Sequence, residues 1–230
     1  VDDLAVFRAS RMFAGVPDAE LEPLVRAGRR FEVRVGQPLW LQGDRADELY
    51  VIGEGHLKSY RIGADGQQIV MWFFGPGETT GEPALFLPAA TRGTSVEAAE
   101  RTSGVAIPRA ALFDFLDTHP VANRRLLQRL SEMLWDSHTM PSEVAFQNIP
   151  GRVARKLLDL AAVHGVDDNG STRIAVRLSQ GTLAAMVAAS RENVNRALAP
   201  LLSSRIVSHD GGYFTILDVA RLRQRASGLD

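Results

Sequence analysis

The 230-residue sequence predicts an α+β protein: an N-terminal double-stranded β-helix (jelly roll), a long helix, and a C-terminal winged helix-turn-helix. Three observations predict it. Short β-like runs separated by Gly-containing turns fill Phe31 to Ile107. An apolar stripe with coiled-coil spacing runs along residues 119–146. Leu178 to Pro200 reads as two helices joined by a tight turn, with a β-rich hairpin after it. The expected domains are therefore 1–118 for the roll, 119–148 for the long helix and hinge, and 149–230 for the winged domain.

Residues 1–30 have helical spacing, with Leu21, Leu24 and Val25 on one face. The strand candidates then come at regular intervals: Phe31 to Val35, Leu39 to Leu41, Glu48 to Ile52, Gly55 to Arg61 and Gln68 to Phe73. Turns such as Gln42-Gly43-Asp44, Ala64-Asp65-Gly66 and Gly75-Pro76-Gly77 separate them. Many short strands with turns at this spacing suit a double-sheet roll. Gly81 to Phe86 should form a short helical turn.

Pro120, after Thr118, opens the long helix. Leu126, Leu130, Met133, Ser137, Met140 and Val144 recur at steps of 4, 3, 4, 3, 4, the a/d spacing of a coiled coil. The stripe suits a two-helix dimer seam, or a long helix packed on its own domain. Ser137 puts a hydroxyl into that stripe. Pro141 clashes with the carbonyl four residues back, so a kink or break is expected between Ser137 and Pro141. It would serve as a ligand-gated hinge or be a simple bend.

In the C-terminal part, Ser179 is an N-cap for a helix carrying Leu183, Met186 and Val187. Ala188-Ala189 holds the turn. Ser190 caps a second helix with Val194, Ala197, Leu198, Leu201 and Leu202 on its inner face. Arg191, Glu192, Asn195 and Arg196 are left outside. Arg pairs bidentately with guanine, and Glu accepts from the cytosine amino group. The N-terminal residues of the second helix of a helix-turn-helix meet base edges. The plain alternative is a solvated charged helix face. The next segment of the chain favours DNA. Arg205 to Ser208 and Tyr213 to Ile216 are β-rich, with His209-Asp210-Gly211-Gly212 as a hairpin turn between them, which makes a wing. A final helix spans Leu217 to Ala226.

Charge agrees with that division. The net charge is -1, but residues from Gln147 onward carry 11 Lys+Arg against 7 Asp+Glu, a net of +4, which leaves -5 before them. The basic part is where a nucleic-acid face belongs. No run of 18 apolar residues and no signal-peptide pattern is present, which with the absence of Cys points to a soluble, cytoplasmic protein. Without Cys, a Cys-ligated iron–sulfur cluster or thiol sensor is excluded. A jelly-roll enzyme would need a metal site. The five His are scattered with no His-x-His pair, so neither metal nor catalysis is expected.

Gly81-Glu82 at a helix start and Arg92 ten residues later form the remaining constellation. Glu82 can accept ribose hydroxyls, Arg92 can pair a phosphate, and helix N–H groups add donors. The same spacing equally suits an ordinary loop with a surface salt bridge.

The order of roll, Gly-Glu…Arg segment, seam helix and winged helix-turn-helix resembles the cyclic AMP receptor protein and fumarate–nitrate regulator family of bacterial transcription factors. The resemblance spans nearly the whole chain. Its most specific parts are Ser190-Arg191-Glu192-Asn193-Val194-Asn195-Arg196, Pro150-Gly151-Arg152-Val153-Ala154, and Gly81-Glu82 with Arg92. It implies a homodimeric regulator, not an enzyme, that binds double-stranded DNA at an inverted repeat with TGTGA-like half-sites. RNA polymerase is a further partner it implies. Ser179, Gln180, Ser190, Arg191, Glu192, Asn195 and Arg196 would contact DNA. The implied effector is cyclic AMP or a related nucleotide, held by Gly81, Glu82, Pro83, Arg92, Gly93, Thr94, Met133, Ser137 and His138.

Several positions depart from the family pattern. Gly93 stands where Ser or Thr follows the phosphate Arg, Met133 where the seam helix carries a basic or polar group, and His138 where Ser or Asn comes across the dimer. Pro83 and Pro141 are unusual, Gly181-Thr182 replace an acidic pair, and Ala188 replaces the turn Gly. The Ala188 change is mild if φ stays negative. A regulator of the same fold that takes another ligand, or none and acts constitutively, is the alternative.

Overall fold

A computed structural model describes residues 2–227, except the side chains of 138–146. Two compact units emerge, Val1–Arg61 with Met71–Trp135, and Ile62–Val70 with Asp136–Asp230.

The chain starts with α1 (Asp3–Ala9) and α2 (Asp18–Ala27), whose inward residues Val6, Phe7, Leu21 and Leu24 are buried. The roll comes next: β1 (Arg29–Val33), β2 (Pro38–Trp40), β3 (Glu48–Glu54), β4 (Leu57–Ile62), β5 (Gln68–Phe74), β6 (Thr79–Thr80), the short α3 (Glu82–Leu85), β7 (Ser95–Ala98) and β8 (Thr102–Pro108). One sheet has the order β1-β8-β3-β6 and the other β2-β7-β4-β5. The observed pairs in both are antiparallel. The double-sheet roll expected from strand spacing is thus present.

Two apolar clusters fill the first unit. One gathers Phe7, Phe13, Leu21, Leu49, Leu85, Ile107, Phe115 and Leu126 beneath the helices. The other is aromatic, with Phe31, Trp40 and Tyr50 among Ile52, Leu57 and Phe74. In the second, ring centroids lie 5.3 Å apart for Phe31–Tyr50 and 5.2 Å for Trp40–Tyr50, within the range of favourable aromatic pairs. Helix α4 (Arg109–Thr118), which sequence spacing did not single out, adds Leu112, Phe115 and Leu116 to the first cluster.

Helix α5 (Pro120–Phe146) is one helix through Pro141, so the expected break does not occur. Any bend there would involve residues whose side chains lie outside those described. The start of the apolar stripe packs within the chain itself, the alternative to a dimer seam, while Met140 and Val144 lie among the residues whose side chains are not described. Leu126 is buried in the chain's own core, and Leu130 packs against the same cluster. Heptad spacing reports that a helix buries a stripe, not whether the surface it meets is its own domain or a partner. Among the described residues of α5, the large apolar side chains left exposed are Val121, Leu127, Leu134 and Trp135.

The second unit contains α6 (Ile149–His164), β9 (Gly165–Asp168), β10 (Ser171–Ile174), α7 (Gln180–Met186), α8 (Arg191–Ser203), β11 (Val207–Asp210), β12 (Tyr213–Ile216) and α9 (Val219–Ala226). Its sheet runs β11-β12-β10-β9. The hairpin β9–β10 was not foreseen, although its turn residues Asn169 and Gly170, both at positive φ, form a strong hairpin pair. Leu157, Leu183, Val194, Leu198, Ile206, Phe214 and Leu222 are buried in this unit.

Candidate functional sites

The first site is the helix-turn-helix. Ser179 Oγ accepts from Thr182 N–H at 2.9 Å and caps α7; Ser190 Oγ accepts from Asn193 N–H at 3.2 Å and caps α8. Each cap satisfies a donor that a helix start otherwise leaves unpaired. The inner face of α8 buries Val194, Ala197, Leu198 and Leu201. Arg191, Glu192, Asn195 and Arg196 are exposed, as are Ser179 and Ser190, while Gln180 is half-buried. The four side chains expected to read bases therefore lie on the outer face that helical spacing assigned to them.

The joint between the helices differs from expectation. Ala188 has φ of 48°, in the left-handed region, not the negative value its side chain would favour. Ala189 N–H donates to Ala184 O at 3.1 Å, the closing bond of a Schellman turn whose left-handed position is normally glycine. That closure requires a left-handed residue at position 188, so the Cβ is carried at a cost of about 1–2 kcal/mol. Arg152 of α6 reinforces the joint: its Nη1 donates to Val187 O at 2.7 Å.

The second site lies in the roll. Gly81, at φ of 103°, leads into α3, and a Cβ there would stand 2.6 Å from Arg92 Nη1. Only glycine lets that guanidinium approach. Arg92 is 4% exposed; its Nη1 donates to Gly81 O at 3.0 Å and its Nη2 to Glu48 O at 2.7 Å. The Trp40 ring covers its face at 4.2 Å, a cation–π contact. Trp40 is itself fixed by Nε1 donating to Thr94 O at 2.8 Å.

Glu82 is buried too, with the Thr79 hydroxyl donating to its Oε1. Burial raises its pKa, which the Thr79 hydrogen bond partly offsets. Arg92 is lowered from its usual value by burial. The surface salt bridge that spacing also allowed is excluded, since both residues are interior. Glu82 Oε2 and Arg92 Nε are each buried without a hydrogen-bond partner. Two such atoms in one cassette carry an unmet desolvation cost. A hydroxyl donor and a phosphate oxygen are the groups that would meet it.

The other expected ligand residues vary. Pro83 and Gly93 are exposed, and a Cβ on Gly93 would meet open space. Thr94 Oγ1 accepts from Ser59 Oγ at 2.9 Å and so is tied into the roll. Met133 is half-buried on α5. Ser137, also half-buried, falls in the second unit, and the side chain of His138 lies outside the described residues. Sequence reasoning missed the aromatic wall: Trp40 and Tyr50 stand in separate strand candidates, and only the folded register brings both beside Arg92. Among the described residues no cluster of His, Asp or Glu is suited to a metal ion.

Comparison with known proteins bears on both sites. Residues 30–119 match the cyclic nucleotide-binding domain family, and residues 151–225 match the Crp-like helix-turn-helix domain family. The chain is 30% identical over 215 residues to a CRP-like cAMP-activated global transcriptional regulator of Mycobacterium tuberculosis, covering 94% of this chain and 96% of the relative. It is 27% identical to the cyclic AMP receptor protein of Thermus thermophilus, over 96% and 99% of the two chains. Among solved structures, the c-di-GMP responsive global regulator CLP of Xanthomonas campestris superimposes with a TM-score of 0.71 at 25% identity, over 87% of this chain and 99% of that one.

Proposed function

This chain belongs to the cyclic AMP receptor protein and fumarate–nitrate regulator family, a family of transcriptional regulators and not of enzymes, and on that premise we propose that it acts as a homodimer on an inverted repeat of double-stranded DNA under the control of a cyclic nucleotide. The exposed trio Arg191, Glu192 and Arg196 at the front of a capped, buttressed helix carries the DNA part of this reading. Arg191 and Arg196 pair with guanines and Glu192 with a cytosine of a TGTGA-like half-site. Asn195, Ser179, Gln180 and Ser190 supply flanking contacts. No helix among the described residues is long and apolar enough to cross a membrane, in keeping with a cytoplasmic site of action.

A second copy of the chain packs along the exposed Leu127–Leu134 face of α5. These two residues are one heptad apart and 59% and 58% exposed. A two-fold pair then presents two recognition helices to half-sites about one DNA turn apart.

The effector reading rests on Glu82 Oε2 and Arg92 Nε, the two buried atoms without partners. A ribose hydroxyl serves the first and a cyclic phosphate the second. Binding requires Trp40 to yield some of its contact with the guanidinium. Cyclic AMP fits this chemistry, and so do other cyclic nucleotides; the relatives include a cAMP-activated and a c-di-GMP responsive regulator. The effector acts by preferring one arrangement of α5 over another.

The test is a titration of the purified protein with cyclic AMP and cyclic GMP, read by calorimetry and by anisotropy of a labelled inverted repeat. Binding that raises operator affinity in the wild type and is lost in Arg92→Met supports the reading. Operator binding unaffected by either nucleotide would leave a constitutive regulator that keeps the roll as a scaffold.

A further inference from the structure

A cavity of about 240 Å³ lies within the first unit, and neither Glu82 nor Arg92 lines it. Its walls are the segment after α1, the turn before β6 and one side of α5. Arg11, Arg125 and Arg129 converge on it, with Glu78, Glu132 and Gln128.

The donors of these arginines are little used. A guanidinium has five N–H donors. Arg125 spends one, on Ala14 O. Arg129 approaches Glu78 at 3.8 Å and Glu132 at 4.0 Å, beyond hydrogen-bonding distance. The Arg11 side chain has no hydrogen bond or ion pair among the described residues; only its backbone N–H is engaged, by Gly77 O at 3.2 Å. Glu78 and Glu132 offset two of the three guanidinium charges on this wall, which leaves the cavity with a net charge of +1 and room for one further anion. The acceptors have a different use. Glu78 Oε2 takes the Gly75 N–H at 2.7 Å, which orients the carboxylate, and Oε1 faces Arg129. Carboxylates on the wall of a cationic cavity disfavour a bare anion and favour one that also brings hydroxyl donors.

We propose that this cavity is an effector site for a small sugar phosphate, separate from the Glu82–Arg92 cassette. The phosphate is shared by Arg11, Arg125 and Arg129 through the planar fork geometry that guanidinium offers to phosphate oxygens. Sugar hydroxyls donate to Glu78 and Glu132. The site is placed to be read twice. Thr79 lines it and also bonds Glu82, so the cavity reaches the roll's buried carboxylate. On α5 the cavity residues 125, 129 and 132 lie about half a helical turn from Leu127 and Leu134, so one helix touches the ligand on one side and presents the apolar face on the other. The proposal does not depend on the roll's taking a cyclic nucleotide.

The experiment is a thermal-shift titration of the full chain with ribose 5-phosphate, with inorganic phosphate and free ribose as controls. Ribose 5-phosphate should raise the unfolding midpoint by about 2–4 °C at saturation, and each control by less. Arg11→Ala with Arg129→Met should remove the rise, and Arg92→Met should leave it. Operator binding by the double variant reports that it is folded. A wild type without a rise, an equal rise with inorganic phosphate, a rise surviving the double variant, or a rise lost in Arg92→Met would each overturn the proposal. The last outcome would place the sugar phosphate in the roll. A cyclic AMP response lost only in Arg92→Met bears on the roll alone, so the two readings fail separately.

Discussion

In the winged helix-turn-helix, the groups that would touch a ligand stand in water. Arg191, Glu192, Asn195 and Arg196 are exposed, and only their scaffold is buried. In the roll the corresponding groups are inside: Glu82 is 1% exposed and Arg92 4%, each with a polar atom lacking a partner. The difference suits the two ligands. DNA brings its own large charged surface to the protein, so the reading residues need only be aimed. A nucleotide must be enclosed, so the receiving groups are desolvated in advance and stability is sacrificed to do it. One site is therefore nearly neutral for folding, and the other costs the fold something in every unliganded molecule.

The contrast can be broken or sharpened by substitution. The largest effect is expected from Leu134→Asp, which places a charge on the exposed apolar face of α5. Sedimentation should report a monomer, and operator affinity should fall on the order of 100-fold or more, because the two half-sites are no longer held jointly. A dimer that survives this change would move the interface elsewhere. Arg196→Ala comes next, at about 1–3 kcal/mol of operator affinity, with preference relaxed at one base pair of each half-site. Competition with a panel of single-base operator variants measures it. Thermal stability should be unchanged, as befits a group that only meets DNA. A uniform loss over all sequences would make Arg196 a phosphate contact.

Glu82→Gln tests the other half of the contrast. Burial raises the Glu82 pKa above the ordinary 4.5, so the folded protein holds this proton to higher pH than the unfolded chain does. Between those two values the native state binds more protons, and stability falls as pH rises through the window. The substitution should flatten that slope in denaturant titrations and raise stability at pH 7 by about 1 kcal/mol. It should also weaken any cyclic nucleotide response. The smallest effect is expected from Ala188→Gly, which relieves the left-handed residue and should stabilise the second unit by about 1 kcal/mol without altering base preference. A loss of stability would show that the alanine methyl makes contacts worth more than the strain.

How much could be read from the chain depends on the distance over which each feature is decided. The caps Ser179 and Ser190 act on residues three positions away, and the faces of α8 derive from period alone, so the whole reading surface was visible in a window of about twenty residues. The strands of the roll were visible for the same reason. The fate of Leu126 and Leu130 was not, because an a/d stripe looks the same whether it meets the chain's own helices or another subunit. A second stripe, Leu127 with Leu134, was present but shorter and interrupted by Ser131. The positive φ of Ala188 was hidden because alanine carries no marker for the left-handed region that the closing Ala189–Ala184 bond requires. Burial of Arg92 required β2 and β3 to bring Trp40 and Tyr50 together, a long-range outcome. Asn169-Gly170 was a local hairpin marker in plain sight, and its strands were still overlooked.

The aromatic wall of the roll has one further consequence. Trp40 lies flat against Arg92, 8% exposed, whereas Trp135 on α5 is 73% exposed. With the third tryptophan, Trp72, replaced by Phe, these two indoles report on different parts of the protein through their own fluorescence: acrylamide quenches the outer one freely and the inner one hardly at all. On the proposed reading, a nucleotide that pairs with Arg92 would alter the emission of Trp40, and a second subunit on the long helix would shield Trp135, so each event would have its own optical readout.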